Sequence, residues 1–63
     1  MFQVGQRVVW KRKIFRVSGF AAEGKNTFLL WLQKLNPAGN VVLNEDGKPI
    51  EFTIGKKEIK GVK

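Results

Sequence analysis

Apolar and polar residues alternate with a period close to two along most of the chain, the spacing of a strand that buries one face. Phe2, Val4, Val8 and Trp10 share one parity, with a bend expected at Gly5 between the first pair and the second. A basic turn at Lys11 to Lys13 leads into a second strand, from about Ile14 to Phe20. There Phe15 and Val17 face inward, while Arg16, Ser18 and Phe20 take the outward parity. Ala21 to Asn26, which contains Gly24, reads as a loop.

The segment from Thr27 to Leu35 obeys neither periodicity cleanly. As a strand it is apolar on both faces, since Phe28, Leu30 and Leu32 alternate with Leu29, Trp31 and Leu35. As a helix over 27–35 it has Asn26 or Thr27 for an N-cap, gathers Phe28, Leu32 and Leu35 on one face, and stops at Asn36-Pro37. Leucine favours the helix, Phe and Trp the strand. The shortness of the segment and its strand-like neighbours decide for a strand, with the short helix as the alternative. Asn36 to Asn40 then forms a turn, Val41 to Leu43 a short strand, and Asn44-Glu45-Asp46-Gly47 a hairpin turn whose Asp-Gly pair supplies positive φ. The return strand runs from Pro49 to Ile54, with Ile50, Phe52 and Ile54 inward. After Gly55, the stretch from Lys56 to Lys63 reads as a turn and a closing strand anchored by Ile59 and Val62.

Five short strands leave a flat sheet with edges it cannot protect, and curling the sheet until they meet encloses a small core. The run Phe2-Gln3-Val4-Gly5-Gln6-Arg7-Val8-Val9, followed by Ile14-Phe15-Arg16-Val17, resembles the opening hairpin of small SH3-like barrels, including Tudor-like and KOW-like modules. The resemblance implies a binding module rather than a catalyst. The expected architecture is therefore all-β: one domain over 1–63, folded as a five-stranded SH3-like barrel. An OB-like barrel is the nearest competitor.

A chain of 63 residues buries only about 60% of the surface it exposes when unfolded, so its core is small. With no cysteine and no histidine, disulfides and the usual structural zinc site are excluded. Stability rests on the 43% of residues that are apolar. The longest apolar run, Phe28 to Leu32, falls far short of the roughly 18 residues of a membrane span. Charges interrupt the first twenty residues where a secretory signal needs an unbroken apolar stretch. A soluble cytoplasmic protein is the expectation.

Chemistry is constrained as tightly. Without His, Cys or Tyr, the commonest general base, the best nucleophile and the phenolic acid are missing, and Ser18 has no imidazole to activate it. Glu45 and Asp46 are adjacent but belong to a hairpin turn, and the glycines have no phosphate-loop spacing. Neither an enzyme nor a cofactor is expected.

Charge supplies the positive clue. Arg7, Lys11, Arg12, Lys13 and Arg16 place five cations in ten residues, no acid precedes Glu23, and the net charge is +7. Trp10 lies among them. Cations beside flat apolar rings suit a polyanion with stackable bases. The expectation is a nucleic-acid binder of low sequence specificity, DNA or RNA, that contacts phosphates through Arg7, Lys11, Arg12, Lys13 and Arg16. Trp10, Phe20 and Trp31 are candidate ring contacts, and Lys56 and Lys57 a second basic group that barrel closure brings toward the first. The alternative is a protein-interaction module, a small inhibitor or adaptor on an acidic protein surface. A homodimer seam through Phe28 to Leu32 is a third candidate.

Overall fold

The computed structural model describes residues 2–63; Met1, the first residue of the expected domain, lies outside the described residues. Four antiparallel strands pair in sequence order, β1 (Arg7–Trp10), β2 (Lys13–Glu23), β3 (Asn26–Lys34) and β4 (Glu51–Gly55), and a single helical turn, α1 (Lys56–Ile59), follows β4. The expected all-β character holds at this level, as an open four-stranded sheet with one short helix.

Alternation explains the core. Val8, Phe15, Val17, Leu30, Leu32 and Ile54 project from one side of the sheet into a single cluster and are each at most 4% exposed. Phe2, Trp10, Phe20, Ile59 and Val62 pack around it. Leu35 is buried just beyond the end of β3. The segment 27–35 is thus strand, not helix: Leu30 and Leu32 need neighbours on both flanks, and pairing with β2 and β4 supplies them. Phe28, which shares the parity of Leu30 and Leu32, is 43% exposed because it stands near the end of β3 as the residue left unpaired by the register shift between Ala21 and Ala22.

Two features of β2 depart from simple alternation. The expected loop at Ala21 to Asn26 is a strand that turns within two residues, since Glu23 pairs with Asn26 and only Gly24 and Lys25 lie between them. Gly24 sits at φ +60°, the first central position that a type II′ hairpin reserves for glycine. A bulge separates Val17 from Gly19, so one extra residue enters β2 and side chains beyond it change face. Phe20 therefore opposes the fully buried Leu30 and joins the core, not the outward parity expected from Arg16 and Ser18.

Between β3 and β4 the chain makes two loops of one design. Asn36 accepts through its side-chain Oδ1 from the Asn40 N–H at 2.9 Å, and Asn44 does the same for Asp46 and Lys48 at 2.9 and 3.0 Å. Val41 to Leu43, expected as a short strand, makes only two isolated bridges, Val41 to Leu35 and Leu43 to Pro49. Three backbones meet here in a ring. Lys34 donates to Ile50, Ile50 to Val42 and Val42 to Lys34, at 2.9 to 3.0 Å.

The C-terminal closing strand is replaced by α1 and a short tail. The Glu58 carboxylate accepts from the Gly55 N–H at 3.1 Å and starts the turn. Lys63 then exchanges two hydrogen bonds with Val9, each 2.9 Å, so the tail ends against β1.

Candidate functional site

The β1–β2 hairpin turns as tightly as the β2–β3 hairpin, but without a glycine. Trp10 pairs with Lys13, leaving Lys11 and Arg12 as a two-residue loop at φ +51° and +65°. Type I′ turns need positive φ at both central positions and favour Asn and Gly there. Two long cationic side chains in that conformation cost on the order of 1 kcal/mol apiece. The tip therefore displays charge against local backbone preference. Lys11 folds back so that its Nζ lies 4.8 Å from the Trp10 ring centroid, a cation–π contact.

Beneath that lysine three rings touch one another. Trp10 lies 5.7 Å from Phe15 and 6.0 Å from Phe52, and Phe15 lies 5.7 Å from Phe52, all in tilted or edge-on arrangements. Phe15 is the buried base of this group, whereas Phe52 is 41% exposed and Trp10 half-buried. Aromatic carbon is left open to solvent at this end of the sheet.

An open cleft of about 260 Å³ adjoins the tip, lined by Arg12, Lys13, Ile14, Lys34, Leu35 and Pro37. Half of the lining residues are cations, none is acidic, and the remainder form an apolar floor. Register ties the cleft to the rings: Lys13 stands opposite Trp10, and Lys34 opposite Phe15. Directly paired residues share a face and have Cβ atoms about 5 Å apart. Lys13 and Lys34 thus belong to both the cleft and the aromatic edge.

The five cations of the first hairpin do not make one rim. Arg7 and Arg16 pair with each other on the face opposite Val8, Phe15 and Val17, three positions along the hairpin from the tip. A like-charged pair directly across a ladder is destabilising. Arg16 has Gln33 on its other side. The Arg7 guanidinium lies against Gly39, whose φ is +87°; a Cβ there would come within 2.8 Å of Arg7 Nη2. Val9 and Ile14, 45% and 38% exposed, pair beside the two arginines on the same face.

The remaining candidates stand apart from the tip. Trp31 is half-buried and packs over Gly19, where an added Cβ would meet the indole at 3.3 Å. It faces away from the core, on the side of the sheet opposite Leu30 and Leu32. Lys56 and Lys57 are exposed on α1, which begins just past the Leu29–Gly55 pair. Leu29 and Lys34 are five positions apart on β3, about 17 Å. The second basic group therefore does not merge with the cleft; only the tail at Lys63 comes back to β1.

Sequence reasoning missed Lys34 and misjudged Phe52. Lys34 sits at the end of an apolar run, far from the basic cluster in sequence, and only the β2–β3 register brings it beside Lys13. Phe52 has the inward parity, but it borders the open end of the sheet. The proposed dimer seam loses Leu30 and Leu32 to the core, leaving Phe28, Leu29 and Trp31 with exposed or partly exposed surface. Comparison with protein-family models, with curated proteins and with solved structures returned no match for this chain. No helix among the described residues is long and apolar enough to cross a membrane.

Proposed function

We propose that this protein binds nucleic acid through the tip of its first hairpin, with low sequence specificity and without catalysis, in the cytoplasm. The observation that carries this reading is the cleft in which Arg12, Lys13 and Lys34 surround Ile14, Leu35 and Pro37. Three cations without an acid among them attract phosphate, and an apolar floor accepts sugar or base. At about 260 Å³ the cleft is below the 300–1,000 Å³ usual for small-ligand pockets, which suits one unit of a polymer better than a whole metabolite. The unfavourable turn at Lys11 and Arg12 supports the same reading, because strain at an exposed tip persists where the displayed groups are used. Scaffold closure is part of the proposal: the reciprocal Val9–Lys63 bonds join the tail to β1, and the sheet with α1 makes a small SH3-like barrel whose end carries the site.

The test is salt-dependent binding of a labelled oligonucleotide. With about four phosphates neutralised, log K falls with log salt at a slope of about −3 to −4. The triple variant Arg12→Ala, Lys13→Ala, Lys34→Ala weakens binding and flattens that slope by about 2 to 3. An unchanged slope in a folded variant refutes the reading.

One observation favours a second reading, docking on an acidic protein surface: the exposed Val9 and Ile14 pair next to Arg7 and Arg16. Under it, Val9→Ser with Ile14→Ser abolishes capture of the partner while oligonucleotides fail to compete.

A further inference from the structure

We propose that the nucleic acid taken at this site is an unpaired strand, one base of which stacks on the Trp10–Phe52 edge while its phosphate sits in the Arg12–Lys13–Lys34 cleft. The inference rests on the nucleic-acid reading and specifies its ligand. Its warrant is the juxtaposition of two surfaces that share residues. The ring group offers open aromatic carbon at Phe52 and Trp10, backed by the sealed Phe15. The cleft offers cations over an apolar floor. Lys13 and Lys34 are the cross-strand neighbours of Trp10 and Phe15, so these two cations stand on the ring face, while Ile14, paired with Val9, lines the cleft from the other face and the cleft spans the end of the sheet.

A base inside a duplex has both faces covered by its neighbours and cannot reach a ring on a protein surface. A free base can, and stacking tolerates any base because every base has a π face. Cations alone read a duplex and a single strand alike; rings beside them favour the strand whose bases are free. Lys11 Nζ, 4.8 Å from the Trp10 centroid, adds a fourth cation beside the rings. The elements at the site supply no helix for a major groove, since α1 has four residues and follows the opposite end of β4.

The full chain carrying Trp31→Phe keeps Trp10 as its single indole, because the sequence has two. This variant is titrated with 12-nucleotide dT and rU strands, and with a 12-base-pair duplex, following indole emission; anisotropy of the labelled strands with the unaltered chain gives a second readout. The expected result is quenching of Trp10 by both single strands and at least tenfold weaker binding of the duplex. Phe52→Leu, which keeps apolar bulk but loses the flat ring, lowers single-strand affinity about 5- to 150-fold with the salt slope unchanged. Equal affinity for duplex and single strand without quenching overturns the inference and leaves general binding standing, as does a Phe52→Leu variant that binds like the parent. Absence of binding to any of the three removes the underlying reading as well.

Discussion

At Lys11 and Arg12, conformation and charge pull in opposite directions. Both residues hold positive φ without being glycine or asparagine, and both carry side chains too long to bond their own backbone. Replacing Arg12 by glycine relieves the conformation and removes one charge from the cleft. The expected outcome is a gain of about 1 kcal/mol, raising the melting midpoint by about 4–8 °C in a domain this small, together with weaker oligonucleotide binding. Thermal melts of the two proteins check the first half, and a lower midpoint contradicts it. Gly39 is the opposite case. Its positive φ suits glycine, and the mobile end of the Arg7 side chain rests where a Cβ would otherwise lie.

Strand β3 holds the molecule together, and its two faces do different work. Leu30 and Leu32 are fully buried on one side, while Trp31 covers Gly19 on the other and Phe28 stands largely in solvent. Leu32→Ala is expected to cost about 2–5 kcal/mol, against a total of about 3–9 kcal/mol for a chain of this length. Phe28→Ala costs about 1 kcal/mol or less, because the ring is already wet. Urea denaturation of both variants checks the contrast, and equal losses contradict it. Periodicity made most of these elements legible: the alternation in β1, β2 and β4 marks Val8, Phe15, Val17 and Ile54 as buried but wrongly places Phe52 inside, and a two-faced apolar run is what a central strand needs. Three details escaped. The bulge at Ser18 turned Phe20 inward, and a single-residue insertion leaves no mark in the composition. Ala21 to Glu23 have weak strand propensity, yet pairing with β3 makes them strand. The last eight residues became a helical turn and a tail because Glu58 caps Gly55. At the site, the cluster from Arg7 to Arg16 was legible, but its division between tip and outer face follows from pairing, and Lys34 joins only through register.

For the molecule as a whole, the attachment of the C-terminal tail to β1 depends on very little chain. Lys63 contributes both of its backbone groups to Val9, and Val62 packs on the core. Removing residues 61–63 is expected to cost about 1–3 kcal/mol and to leave Val9 as an unpaired edge position, lowering the urea midpoint. A truncated chain as stable as the parent sinks the idea that the tail fastens the sheet. The corner at Lys34, Val42 and Ile50 is made differently. Each of those three peptide units gives one bond and receives one from another of the trio, so the circuit has no loose end. A foreign strand arriving there finds every rung taken. A chain this rich in apolar β sequence thereby denies its neighbours a template at the corner where Lys34 faces the cleft.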